Sequence, residues 1–262
     1  MKPVLDFSKW IYRPRPNPQA RLRLICIPYA GGGASIFRTW PAHLPNDIDV
    51  WAVRLPGREN RLAETPHSRI APLIEDLTAI LRPHLSVPYA LFGHSLGALV
   101  SFELTRRVRQ EKLAVPVHLF VSGRQAPQIP ESDPPIHHLP ETEFVQQVKH
   151  YNGIPQAVFQ EPELLQLMVP VLRADFAVNE TYHYIPRDPL SCPISAFGGE
   201  HDATVPIDGL KAWQVQTTHR FKTRFYSGDH FFLRSAQKLL LYDLILDLAS
   251  GQQGYGRSQE IG

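Results

Sequence analysis

The chain has 262 residues and carries 27 Lys and Arg against 25 Asp and Glu, a formal net charge of +2 with histidine neutral. That near-balance argues against a nucleic-acid binder driven by phosphate contacts. No apolar run reaches the roughly 18 residues of a membrane-spanning helix, and the length suits one large α/β domain.

The N-terminal Met1-Lys2-Pro3-Val4-Leu5-Asp6 lacks the apolar core of a secretory leader, so a cytoplasmic chain is expected. Leu22–Ile27 is a β-rich run that ends at Pro28 and enters the glycine loop Tyr29-Ala30-Gly31-Gly32-Gly33. A second strand is expected at Asp49–Val53, turning at Leu55-Pro56-Gly57. From Ala71 to Leu81, the spacing of Leu73, Ile74, Leu77, Ile80 and Leu81 predicts an amphipathic helix. The apolar run Tyr89–Phe92 leads into Gly93-His94-Ser95-Leu96-Gly97, after which Ala98–Leu104 takes up helical spacing. Further strands are expected at Val117–Ser122, Pro193–Phe197 and Phe221–Tyr226, and a closing helix at about Ser235–Ala249. Residues 251–262 are polar and glycine-rich and read as a frayed tail.

Strands alternating with helices predict a mostly parallel sheet covered on both faces. One interval breaks that rhythm: some seventy residues after Ser122 hold no convincing strand. They open with a proline-rich loop over 126–140 and continue with helical patterns at Glu141–His150 and Glu161–Phe176. This insertion, about 124–190, is expected to be a helical lid on a single domain spanning 1–262. Pro170 removes a backbone donor, so a kink or break is expected there. Cys26 and Cys192 lie in or beside strand-like segments without metal spacing, and both read as reduced core residues.

The pentapeptide at 93–97 fits Gly-x-Ser-x-Gly, the sharp strand-to-helix turn that exposes a serine nucleophile. Glycine is needed on both sides because a side chain would crowd the close approach of helix and strand. A serine hydroxyl needs a base and a group that orients the base. In this arrangement the expected chain order is Ser, acid, His. His230, in the turn between the last strand and the last helix, is the expected base. His94 belongs to the elbow but is expected to face away from the nucleophile's partner. Asp202, carried off the strand at 193–197 through a glycine turn, is the expected acid, with Glu200, Asp208 and Asp229 as rivals. The backbone N–H groups of Leu96 and Ala30 are the expected oxyanion donors. Neither a Walker-type phosphate loop nor Gly-x-Gly-x-x-Gly is present, so the glycine loop does not read as a nucleotide site.

Together with these motifs, Pro28–Gly32, Leu55–Glu59, Gly93–Ala98, Leu172–Phe176, Glu180–Tyr182, Gly198–Asp202 and Gly228–Phe232 occur in the order and at the spacing of one family. The chain resembles the type II thioesterases of nonribosomal peptide and polyketide synthesis. The resemblance implies an α/β-hydrolase fold: a mostly parallel central sheet flanked by helices, with a helical lid. It implies a free-standing enzyme that hydrolyses aberrant acyl groups from the phosphopantetheine arm of acyl- or peptidyl-carrier protein domains. Ser95, Asp202 and His230 would then form the triad and Ala30 and Leu96 the oxyanion hole, without metal or nicotinamide. No nucleic-acid or membrane partner is expected, and the chain reads as a monomer. The alternatives are a medium-chain fatty acyl thioesterase, a general carboxylesterase, or a non-catalytic carrier-protein binder.

Phe144, Val145, Val148, Leu164, Leu165, Leu167, Met168 and Val171 are candidates for the lining of an acyl chamber. Arg58, Glu59, Arg173 and Asp175 read as loop-fixing charges or ion pairs. Arg106, Arg107 and Arg109 read as a solvated helix end, favoured there by the helix dipole.

Overall fold

A computed structural model describes residues 6–131, 133–150 and 159–255. The sheet begins with β1 (Ile11–Tyr12), which follows one turn of helix, α1 (Phe7–Trp10), capped by the Asp6 carboxylate on Ser8 N–H. The six expected strands then form β2 (Leu22–Ile27), β3 (Ile48–Val53), β4 (Tyr89–His94), β5 (His118–Ser122), β6 (Ile194–Gly199) and β7 (Phe221–Tyr226). Their order across the sheet is β1-β3-β2-β4-β5-β6-β7. All neighbours run parallel except β1, which pairs Ile11 with Val53 and Tyr12 with Ala52 in antiparallel register. Two residues are too few to show an alternating pattern, which is why β1 left no signal in the sequence.

The central strands read as unbroken apolar runs because both faces of the sheet are covered. Successive side chains alternate between faces. Ile25, Ile27, Tyr89, Leu91, Leu119, Val121, Ile194 and Ala196 join one buried cluster, against α2 (Ile70–Leu81) and α3 (Leu96–Gln110). Leu24, Cys26, Ala90, Phe92, Phe120 and Phe197 join the other, against α8 (Gln237–Tyr255). Short 3₁₀ turns at Ala34–Phe37 and Trp40–Ala42 also contribute to that second cluster. Both cysteines are buried and unpaired, as expected of core residues.

Two further helices occupy the interval between β5 and β6 where a lid is expected: α4 (Glu141–His150) and α5 (Pro162–Glu180). The latter passes through Pro170 without ending and runs four residues beyond the expected Phe176. Residues after β6 form α6 (Ile207–Lys211), and those after β7 form α7 (Phe232–Ser235). The closing helix starts later than expected, at Gln237, because Ser235 belongs to α7. It continues past Ala249 to Tyr255, so residues 251–255 of the expected tail are helical; residues 256–262 lie outside the described part.

Strand order reverses direction between β2 and β4. That switch point opens a crevice outside the C-terminal ends of the two strands, the usual place for a ligand in an open α/β sheet. The glycine loop leaves β2 there, and the serine turn leaves β4 beside it.

Candidate active site

Ser95 sits between β4 and α3 with φ 54° and ψ −115°, a conformation that L-residues rarely adopt. Close packing holds it. A Cβ on Gly93 would lie 2.0 Å from the Gly97 carbonyl oxygen, and one on Gly97 would lie 2.1 Å from the Ile27 carbonyl oxygen. The start of α3 therefore rests directly on the ends of β4 and β2, which only hydrogen at both Cα positions permits. The Ser95 N–H is held by the Ser122 carbonyl at 2.7 Å. Its hydroxyl makes no hydrogen bond among the described residues.

Asp202 and His230 come together from different strands. Gly199, at the end of β6, packs so tightly on the loop after β7 that a Cβ there would lie 2.3 Å from the Asp229 carbonyl oxygen. Backbone bonds from Glu200 N–H to Tyr226 and from His201 N–H to Gly228 fasten the two loops. The result is a 2.7 Å contact between Asp202 Oδ2 and His230 Nδ1. Asp202 Oδ1 accepts from Thr204 N–H at 2.9 Å and from Thr204 Oγ1 at 2.7 Å. Burial by itself would raise the Asp202 carboxyl, but the His230 contact and the Thr204 bonds outweigh it and hold the carboxyl below its ordinary range. Of the rivals, Asp229 accepts from Phe231 N–H, and Asp208 lies in the first turn of α6; neither bonds His230.

His94 does not face away as expected. Its buried ring lies 5.2 Å, centroid to centroid, from that of His230, and its Nδ1 contacts Ser122 Oγ at 2.8 Å. Burial, then the neighbouring His230, hold its pKa far below the ordinary histidine value, so it adds no charge beside an imidazolium. Tyr29 packs edge-on against both His94 and Phe231, tying the glycine loop to the elbow and the histidine loop.

Donor bookkeeping in the glycine loop singles out one N–H. Gly31 N–H donates to Asp175 Oδ2 at 2.7 Å and Gly32 N–H to the Tyr29 carbonyl at 2.9 Å. Ala30 N–H has no acceptor among the described residues. Leu96 N–H, at the first position of α3, also has none, as the N-terminus of a helix leads one to expect.

The loop-fixing charges do what their residue types suggested. Arg58 and Asp175 form a buried two-pronged pair, 2.8 Å on each arm, and Arg58 also donates to the Gly32 carbonyl. Asp175 thus ties α5 to the glycine loop, where Leu172 also packs against Gly31. Glu59 accepts from Ser35 N–H and pairs with Arg54. Arg173 donates to the carbonyls of His137 and Leu139, and Glu180 accepts from the N–H groups of Ile136 and His137, so α5 also fixes the proline-rich loop.

Two sequence readings change. Arg106 is not on a solvated face: it is buried, paired with Glu103 and donating to the Ile185 carbonyl. Arg109 donates to the carbonyls of Asp188 and Pro189, so the arginines fasten the segment after α5 to α3. The chamber candidates also divide. Phe144 and Val148 are buried in a separate apolar cluster with Val169 and Leu172, whereas Leu164 and Leu167 are about half exposed, at 48% and 55%.

A second serine, histidine and aspartate set went unnoticed in the sequence. His118 Nε2 contacts Ser195 Oγ at 2.9 Å, and Ser195 Oγ donates to Asp247 Oδ2 at 2.7 Å. The order is wrong for a nucleophile: the serine lies between acid and histidine, its proton is committed to the carboxylate, and Nε2 must therefore be the donor. Ser195 is fully buried near the N-terminal end of its strand, and burial drops His118 to about 3. Lys222 and Arg224 pair with Asp247, making the set a structural bridge between the sheet and α8.

A strained serine on a strand–helix turn, a carboxylate–histidine pair from the ends of β6 and β7 and two unengaged N–H donors define an α/β hydrolase. Residues 22–245 match the thioesterase domain model, and the chain belongs to that family. It is 47% identical over 230 residues to gramicidin S biosynthesis protein GrsT of Aneurinibacillus migulanus, covering 88% of this chain and 90% of the relative. It is 36% identical to thioesterase PikA5 of Streptomyces venezuelae, covering 87% and 82%. The solved structure of BorB, described as a type II thioesterase from the borrelidin biosynthetic cluster, superposes with a TM-score of 0.83 at 36% identity. It covers 92% of this chain and 97% of that one.

Proposed function

We propose that this hydrolase cleaves acyl thioesters carried on the phosphopantetheine arm of carrier-protein domains, clearing aberrant acyl groups in nonribosomal peptide or polyketide synthesis. The observation that carries the chemistry is the Asp202–His230 contact, in which the His230 ring packs against His94, the residue before Ser95, together with Ala30 and Leu96 N–H groups that have no acceptor among the described residues. Kinship with GrsT, PikA5 and BorB supports the substrate class.

In this reading His230 Nε2 takes the Ser95 proton as Oγ attacks the thioester carbonyl. Asp202 stabilises the imidazolium, and the two N–H groups hold the tetrahedral oxyanion. Collapse expels the pantetheine thiolate, which receives the proton from His230. A water, deprotonated by the same histidine, then releases the acid and restores Ser95. The lid, held to the glycine loop through Asp175, covers the acyl group.

Single-turnover hydrolysis of acetyl- and longer acyl-carrier proteins, run beside the matching pantetheine thioesters and p-nitrophenyl esters, tests this. Faster release from the carrier protein, lost by several orders of magnitude in Ser95→Ala, supports the proposal. Preference for the free oxygen esters would make the chain a carboxylesterase, and preference for medium-chain fatty acyl groups would move it to the fatty-acid branch. Near wild-type turnover in Ser95→Ala would overturn the triad.

A further inference from the structure

We infer that Thr204 is a positioning residue that fixes His230 in the one tautomer able to serve as base. The inference rests on the triad proposed above and goes beyond it, because nothing in the triad itself assigns Thr204 a part.

The Thr204 hydroxyl lies 2.7 Å from Asp202 Oδ1 and 3.1 Å from His230 Nδ1. Asp202 Oδ2 lies 2.7 Å from the same Nδ1. An ionised carboxylate only accepts, so the single Thr204 proton goes to Oδ1. Toward His230 the threonine then presents a lone pair. Nδ1 meets two acceptors, Oδ2 and Oγ1, and must itself carry the proton. Nε2 is left with its lone pair, as a base for Ser95 requires.

Thr204 acts on the acid as well. Its N–H and hydroxyl both engage Oδ1, which stops the carboxylate from swinging about its terminal torsion and keeps Oδ2 aimed at the ring. Without Oγ1 a single backbone bond would hold Oδ1, and the ring would lose its second acceptor. Thr204 itself reaches no reacting atom; it works through Asp202 and His230. Asp202 and Thr204, two residues apart in one short turn, thus converge on a single ring nitrogen.

Thr204→Val keeps the shape and the backbone N–H but removes the hydroxyl; Thr204→Ser keeps the hydroxyl and loses only a methyl group. With acyl-carrier protein or acyl-pantetheine as substrate, Thr204→Val should lower kcat about tenfold with KM unchanged, the scale of one hydrogen bond to a charged group. Thr204→Ser should stay within about twofold of wild type. Nitrogen-15 NMR of histidine-labelled protein, with the His230 signals assigned from a His230→Gln sample, reads the tautomer directly. Wild type and Thr204→Ser should show Nδ1–H, and Thr204→Val a measurable fraction of Nε2–H. A Thr204→Val enzyme with wild-type kcat and an unshifted tautomer would overturn the inference while leaving the triad intact. Loss of kcat in both variants, with no change of tautomer, would also overturn it by reducing Thr204 to a packing role. If Ser95→Ala keeps wild-type turnover, the underlying triad fails instead.

Discussion

Removing the Asp175 carboxylate tests how α5 and the glycine loop depend on each other. In Asp175→Ala the Arg58 guanidinium, only 8% exposed, loses both arms of its pair and keeps the carbonyls of Gly32 and Pro56. Breaking a buried pair by removing one partner costs about 3–5 kcal/mol, chiefly because the remaining charge is stranded. For a 262-residue chain the unfolding entropy near the midpoint is about 0.55 kcal/mol/K, so a loss of about 4 kcal/mol lowers Tm by about 7 °C. The catalytic effect comes by a different route. Gly31 N–H loses its 2.7 Å acceptor, and the adjacent Ala30 N–H is no longer held in place. With Ala30 N–H as the proposed oxyanion donor, loss of one such donor costs about 10²–10³ in rate, which sets the upper limit for the fall in kcat. Calorimetry and steady-state hydrolysis of an acyl-pantetheine substrate measure both quantities on the same sample. The double variant Arg58→Met with Asp175→Leu separates them: removing both charges should restore most of the lost Tm, while kcat stays low because Gly31 remains untethered. Wild-type Tm and kcat in Asp175→Ala would refute the reasoning, as would a double variant that regains kcat along with stability.

Two further outcomes are expected. Gly97→Ala places a methyl group 2.1 Å from the Ile27 carbonyl oxygen, where backbone faces backbone and neither can yield. The variant should express insolubly or melt far below wild type, and a soluble variant of normal Tm would contradict the packing described for the elbow. His118 is held at about 3 in the folded chain by burial, against an ordinary value of 6.5. As pH falls below 6.5 the unfolded chain takes up this proton and the folded chain does not, so stability declines until the folded value is reached. His118→Gln should flatten the stability–pH curve between 6.5 and about 3 by up to about 1.4 kcal/mol per pH unit. Denaturant titrations across that window read the slope, and an unchanged slope would show that His118 does not stay neutral in the folded state.

Where the sequence carried a periodic or steric signal, it was readable. The mainly apolar run of β2 and the alternating edge strand β7 matched at both ends, and α2 began one residue before its expected start, because the burial of a strand or of one helix stripe leaves a pattern in the residues themselves. The elbow was readable because its two glycines stand at a fixed spacing about the serine, Gly93 pressed against the Gly97 carbonyl and Gly97 against that of Ile27. The two-residue β1 left no trace, and α5 runs through Pro170 and four residues past its expected end. There Arg173, Asp175 and Glu180 bond to the glycine loop and the proline-rich loop, contacts that no local pattern reports.

By itself the sequence determined the alternation of strands and helices, the helical stretch between β5 and β6 and the order in which Ser95, Asp202 and His230 follow one another along the chain. These follow from side-chain polarity, glycine spacing and local geometry. Only the tertiary structure decided that Thr204 shares the His230 ring nitrogen with Asp202, that His94 packs against that ring and that Arg106 is buried. It also decided that Asp247, rather than a histidine, takes the Ser195 proton. Each of these pairs residues from different elements, or turns a side chain toward one of several available neighbours. Distance along the chain cannot choose among such partners; the closing of the sheet and the packing of its loops does.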